Sequence, residues 1–364
     1  SFSSVGMPYP RNLTSPTYEY NEATQSWKPK THYPIGDLKP ERTDSWEVGL
    51  DMKLFKDFNL GLSWYLANTF NQTFDPQISV SSGYTTIYLQ TGYVRNTGLE
   101  LSLGYGHTWN NNFRWDSNFT LSHNKNKIKE LVRDYVHPET GELINKDRLD
   151  VGGLGKARFI LKEGGTLGDL YTQSDLKRDD NGMVDIDPTG IVAIENNLPD
   201  IKLGSVFPKA NLAWSNHFSW KGISLSALFT ARIGGIVYSA TEAAMDQYGV
   251  SERSALARDN GGVLVNNRTL VDAQNYYTTI GSESGLPQYY TYNATNVRLQ
   301  EASIGYLIPR KWLGNVCDIQ VSVIGRNLWM IYNKAPFDPE SVATTDNYYQ
   351  GIDYFMLPRT RNIG

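Results

Sequence analysis

The feature that most constrains this chain is a strict two-residue alternation over windows of strand length. From residue 46 to 54 every second side chain is apolar (Trp46, Val48, Leu50, Met52, Leu54), with Glu47, Gly49, Asp51 and Lys53 between them. A pleated strand turns successive side chains to opposite faces, so this pattern specifies a ribbon with one oily and one wet side. Residues 60–67 repeat it: Leu60, Leu62, Trp64 and Leu66 oppose Gly61, Ser63, Tyr65 and Ala67. Only Phe55, Lys56, Asp57, Phe58 and Asn59 separate the two runs, which predicts a hairpin.

Three further pairs follow the same plan. Leu99, Leu101, Leu103, Tyr105 and Trp109 lead through an Asn110–Asn112 turn to Phe113, Trp115, Phe119 and Leu121. Ala210, Leu212, Trp214 and Phe218 lead through Ser219–Gly222 to Ile223, Leu225, Ala227, Phe229 and Ala231. The last pair spans about 296–308, turns through Arg310–Asn315 and returns with Ile319, Val321 and Val323. Its apolar phase slips near Gln300 and Glu301, where a bulge is expected.

Between the pairs lie long polar segments at about 69–93, 124–207, 234–295 and 331–353. Short turns therefore alternate with long connections. A soluble sandwich or jelly roll produces the same alternation with its apolar face turned inward, but has no reason to sort its connections by length. A transmembrane barrel does sort them, with short periplasmic turns, long extracellular loops and aromatic girdles between. Trp64, Trp109, Trp115, Trp214 and Trp220 stand near strand ends or in turns, as girdle residues would. Strands of about 10 residues suffice to cross a bilayer when tilted, and in hydrocarbon only a closed ring satisfies every backbone group.

The fold class expected is thus all-β: a transmembrane antiparallel barrel with long extracellular loops, nine of whose crossings are present, the last beginning near Tyr354. Residues 1–45 read as an extracellular region leading into the barrel and 46–364 as its C-terminal part. Parity then puts the C-terminus on the periplasmic side. Nine strands cannot close as an even-numbered barrel, so further strands are expected before residue 1.

Composition narrows the function. Lys plus Arg number 34 against 38 Asp plus Glu, a net charge of −4, so nothing favours nucleic acid. The single Cys317 allows no internal disulfide, and five His give no zinc cluster. Gly152–Lys156 (GGLGK) has the wrong spacing for a phosphate loop. KRDDNGMVDID (177–187) places Asp179, Asn181, Gly182 and Asp185 as a calcium loop would, but has Lys177 first and Pro188 where a bidentate Glu belongs. A polar turn is the favoured reading. Glu47, Asp51, Glu100 and Asp116 fall on polar strand faces, as lumen residues would, and His123 and His217 take strand positions with no metal role. No catalytic constellation and no cofactor site emerge. Loop aromatics are more suggestive. Tyr276, Tyr277, Tyr289 and Tyr290, with Tyr348 and Tyr349, are the candidate substrate-binding or partner-binding residues, since flat amphipathic rings stack on ligands at little entropic cost. Packing of the loops' own small cores is an equally good account of them.

Particular strings carry a resemblance. LKPERTDSWEVGLD (38–51) followed by NTFNQ (68–72), NTGLELSLG (96–104), FPKANLAWSNHFSWKGISLSALFTARIGG (207–235), NATNVRLQEASIGYLIP (293–309), GRNL (325–328), APFDPE (335–340) and LPRTRNIG (357–364) are similar, in this order, to the late barrel of SusC/RagA-type TonB-dependent transporters. The resemblance spans roughly 36–364. It implies a barrel of about 22 strands in the Gram-negative outer membrane, closed by an N-terminal plug and capped by a SusD-like surface lipoprotein. It further implies import of an oligosaccharide or peptide, driven by the TonB complex through an N-terminal segment. Neither plug nor TonB-contacting segment is in this sequence. GRNL and APFDPE sit where a strand leaves for a loop and suggest loop architecture rather than ligand contact. The alternatives are a soluble secreted glycan-binding β protein and, less favoured, a β-rich glycoside hydrolase.

Overall fold

The computed structural model describes residues 18–21, 26–33, 40–74, 84–87, 89–109, 113–136, 141, 143–282, 285–343 and 350–364. One antiparallel sheet of nine strands dominates: β1 Arg42–Leu54, β2 Phe58–Phe74, β3 Leu89–Trp109, β4 Phe113–Glu130, β5 Ala210–Trp220, β6 Ile223–Ile233, β7 Asn296–Ile308, β8 Ile319–Asn333 and β9 Asn362–Ile363. Each pairs with its neighbour in sequence, so the order across the sheet is β1 to β9.

Register follows the pleat across the wall. Leu50, Leu62, Leu101, Leu121, Leu212, Ala231 and Val297 stand opposite one another in turn from β1 to β7. One residue along, the row reads Gly49, Ser63, Glu100, Ser122, Asn211, Arg232 and Asn296. A slip of one residue in any strand would carry its apolar set to the other face. The oily side is not packed into a globule: Trp46 is 73% exposed, Val48 67%, Val321 58% and Trp329 60%. So broad an open apolar surface marks an interface with a membrane or a partner.

Aromatic rings gather at the short-turn ends of β2 to β5. Phe58 lies 4.7 Å from Tyr105, Tyr105 lies 5.2 Å from Trp115, Trp115 lies 5.8 Å from Phe218, and Trp109 lies 5.4 Å from Phe113, centroid to centroid. The β5–β6 turn is Lys221–Gly222, both left-handed (φ 48° and 89°) as a tight two-residue hairpin requires. A Cβ on Gly222 would stand 2.9 Å from the Leu307 carbonyl of β7.

The bulge expected near Gln300 is present. Leu228 pairs with Glu301 and Phe229 with Leu299, leaving Gln300 as the extra residue. Elsewhere pairing departs from the hydropathy pattern. Residues 69–74, 89–93 and 124–130 fall in segments expected to be loops, yet β2, β3 and β4 run on through them. Past the oily band the strands no longer need two contrasting faces, so alternation stops while hydrogen bonding continues. The ninth strand, expected from Tyr354, is confined to Asn362–Ile363. Before it the chain contains Pro358, which has no N–H to give. Asn327 of the GRNL string instead donates its side-chain amide to the Arg359 and Thr360 carbonyls at 3.2 and 3.4 Å. Asn327 itself is left-handed, φ 53°.

The buried apolar cluster lies at the loop end of the wall. Phe74, Leu89, Val94 and Ile128 of the extended strands pack with Leu149, Phe159, Leu161 and Leu170. The latter belong to a four-stranded sheet of Arg148–Leu154, Ala157–Lys162, Asp169–Thr172 and Ile201–Ser205, inside the connection expected to be one long loop. Asp200 fastens it by accepting from Arg148 at 2.7 Å and pairing with Lys162 at 2.9 Å. The next long connection holds three helices, α1 Ala240–Gln247, α2 Glu252–Asp259 and α3 Ala273–Gly281, N-capped by Ser239, Ser251 and Asp272.

Two predictions follow from this architecture. If the oily rows face lipid, Leu62→Lys should cost about 2–4 kcal/mol of unfolding free energy in bilayer vesicles. Ser102→Lys, on the wet face, should cost far less, and equal costs would refute the assignment of faces. The Arg148 hydrogen bond, with Lys162 beside it, holds the Asp200 carboxyl well below the usual carboxylate range. A depressed carboxylate gives stability that is complete above the unfolded-state value near pH 4 and lost only as pH falls through the lower folded value. Hydrogen exchange of residues 148–162, expressed relative to intrinsic exchange at the same pH, should therefore be unchanged between pH 7 and 5 in the parent protein. Asp200→Asn should speed it at both, with about 1–3 kcal/mol of local protection lost.

Candidate functional site

The wet face of the wall forms a cavity of about 820 Å³. Because β1 to β6 present alternate residues to it, its polar lining is set by the same period that sets the oily face. Glu47 and Asp51 of β1, Ser63 of β2, Glu100 of β3, Asn211 of β5 and Arg232 of β6 contribute, joined by Gln300 of the bulge, Glu340 and Arg359. Ser63 donates to Glu47 at 2.7 Å. Three of the four carboxylates expected to line a lumen are thus brought together; the fourth, Asp116, instead pairs with Arg114 at 2.6 Å nearer the turns. Such a face can solvate and guide a polar solute.

At the loop end of this face an ionic cluster ties together segments distant in sequence. Arg298 of β7, only 1% exposed, donates to Asp338 at 2.9 Å and pairs with Glu340 at 3.3 Å. Arg359 pairs with Glu340 at 3.0 Å. Burial works to raise the Asp338 carboxyl, but the bond from Arg298, the Glu340 amide and the charges of Arg298 and Arg359 together outweigh it and hold that group below the usual range. Asp338 and Glu340 are the acidic residues of the APFDPE string, so the structure gives that string a role in fixing the loop after β8 to the wall.

The tyrosines expected to face ligand or partner fall into three situations. Tyr290 is fully buried, and its hydroxyl donates to Asp246 at 2.9 Å. Asp246, itself buried, also accepts from Ser251 and Arg253. Arg253 lies over the Tyr290 ring at 4.7 Å. Tyr276, Tyr277 and Tyr289 are half-buried against the same apolar cluster, Tyr276 meeting Tyr277 edge to face at 5.4 Å. Burial raises the hydroxyls of all three, that of Tyr276 to about 12. Tyr348 and Tyr349 lie outside the described residues. Tyr290 therefore serves as the pin of a small folded unit formed by α1, α2 and α3, while the other three are only partly buried. Sequence reading missed these helices, although S-A-T-E at 239–242 is a capping-box signature, with Ser239 accepting from the Glu242 amide at 3.0 Å.

The remaining candidates have local partners. Asp179 accepts from the Asn181 and Met183 amides, both at 2.9 Å, and Asp185 pairs with Lys177 at 2.9 Å. Segment 177–187 is thus closed on itself as a turn. Gly152–Lys156 spans a bulged strand end and a hairpin turn, where a Cβ on Gly153 would stand 2.1 Å from the Ala157 carbonyl. His123 Nδ1 meets the Lys209 carbonyl, and His217 Nδ1 meets Ser226 at 2.8 Å.

Comparison with known proteins agrees with this geometry. The model of the family described as TonB dependent receptor-like, beta-barrel matches residues 7–328. TonB-dependent receptor P3 of Formosa agariphila is 25% identical, the match covering 92% of this chain and 34% of that protein. TonB-dependent receptor P26 of the same organism is 24% identical, with 90% and 34% covered. The chain spans about a third of the length of these curated relatives. Among solved structures, the RagAB peptide importer in its closed-closed state superposes with a TM-score of 0.67 at 19% identity, covering 95% of this chain and 37% of that one. Its open-open state gives 0.64, also at 19% identity, covering 95% and 36%. These structures share the fold of the wall and its loops. With a family model matched over most of its length, and with the two-faced meander that such a barrel needs, this chain belongs to the TonB-dependent receptor β-barrel family.

Proposed function

We propose that this chain is the C-terminal part of the barrel wall of a TonB-dependent outer-membrane importer, working by gated passage of a nutrient without covalent chemistry. The observation that carries the reading is the wall's division into exposed apolar rows and polar rows lining a cavity. A soluble glycan-binding protein would have to bury the oily rows; their exposure argues against it. Family membership supports transport or reception rather than catalysis.

In this reading the short turns and the C-terminus face the periplasm, and the folded loops form the capture surface outside. The cargo is an oligosaccharide or a peptide, and the likeness to the RagAB peptide importer supports a second, lid-like subunit of the SusD lipoprotein kind. The partly exposed rings of Tyr276, Tyr277 and Tyr289 are candidates for contact with either. TonB would act through the N-terminal part of the complete polypeptide.

Orientation can be tested with two positions at opposite ends of the wall. Cys317, exposed beside the β7–β8 turn, should resist a membrane-impermeant maleimide on intact cells and react once the outer membrane is permeabilised. Tyr248→Cys, at a position 77% exposed in the helical loop unit, should react on intact cells. The reverse pattern, or recovery of the complete polypeptide in the soluble fraction without detergent, would sink the reading.

A further inference from the structure

Three guanidinium groups meet two carboxylates at the loop end of the cavity. Arg298 and Arg359 are bonded to Asp338 and Glu340, which leaves Arg232 as the third. It stands on the wet face of β6 between Asn211 and Asn296. Its Nη2 donates to the Val206 carbonyl at 2.6 Å, while its Nε is buried with no partner among the described residues. No carboxylate among the described residues lies within ion-pair distance of it; Glu340, already paired with Arg298 and Arg359, acts on it only through space. A backbone carbonyl offers a dipole and no countercharge, and a half-buried cation left so is costly unless an anion arrives. The carboxylates on the far side of the cavity are too distant. Glu100 lies three strands along the same row, about 14 Å at the usual strand spacing.

Resting on the importer reading, we propose that Arg232 is a cargo-binding residue that receives a singly charged oxyanion of the transported molecule. The excess of three cations over two anions is one charge. A doubly charged phosphate would overshoot it beside Glu340, whereas a carboxylate or sulfate ester balances it, and the planar guanidinium fork matches either. The group could come from a peptide C-terminus, a uronic acid or a sulfated sugar.

The test uses the complete transporter, purified in detergent, with three pairs of fluorescent probes. These are a tripeptide and its C-terminal amide, trigalacturonate and its methyl ester, and a singly sulfated disaccharide and its unsulfated parent. At least one acid should bind about tenfold or more tighter than its neutral partner, a preference that weakens with salt. Which pair shows it identifies the source. Arg232→Gln should reduce the preference to less than about twofold, and Arg232→Lys should keep only part of it. No preference in the parent, or an undiminished preference in Arg232→Gln, overturns the proposal. If Arg232→Gln fails to insert, Arg232→Lys decides, an unchanged preference refuting the assignment. Insertion is read separately by the Cys317 and Tyr248→Cys labelling. A correctly oriented barrel without acid preference therefore refutes this inference alone.

Discussion

Backbone hydrogen bonding inside hydrocarbon is the constraint on which the rest of this structure depends. No water reaches that layer, so each wall strand must find both its partners in neighbouring strands. The next-neighbour order from β1 to β9 is the simplest way to do so, and it explains why long strands are joined by turns as tight as Lys221–Gly222. The outer edge of β1, thirteen residues from Arg42 to Leu54, has no pairing strand among the described residues. An open edge of that length, carrying Trp46 and Val48 on its oily face, is an unpaired template. In lipid it demands another strand.

Once pairing is fixed, side chains divide according to the medium each face meets, and this division made the wall readable from sequence. Leu50, Leu62, Leu101, Leu121 and Leu212 fall in one spatial row because each occupies the same phase of its own alternation. The slip at Gln300 was visible for the same reason, since a bulge shifts the phase by one. What was illegible lay beyond the oily band. The continuation of β2 to β4 and the sheet built on Phe159, Leu161 and Leu170 follow no two-medium rule, so composition alone made them look like loops. Of the candidate site, the lumen carboxylates were legible by phase. Arg232 was not, because its distinction is a missing partner and not a residue pattern.

The molecule consequently keeps its hydrophobic core and its oily surface in different places. The wall is held by hydrogen bonds and by the surrounding apolar medium, while the loop end is held by conventional burial around Phe74, Ile128, Phe159 and Tyr290. Burying Tyr290 on Asp246 with Arg253 above it spends an aromatic on rigidity, and Tyr276, Tyr277 and Tyr289 are held against the same apolar cluster. Preorganised rings lose less entropy on contact than rings on a disordered loop.

The ionic cluster joins these two regimes. Arg298 leaves β7, Asp338 and Glu340 belong to the loop after β8, and Arg359 precedes β9, so the cluster spans three segments. Buried ion pairs give little net stability once desolvation is counted, and their best-attested value is in selecting one arrangement. Here the arrangement selected is the path of the loop after β8 across the end of the cavity, alongside the apolar contacts of Ala335 and Phe337 with Val237, Ala294 and Tyr292. The same geometry that fixes this path consumes both nearby carboxylates. Arg232, a few residues from the loop end of β6, is thereby left facing the cavity as a cation with no ion-paired carboxylate of its own among the described residues.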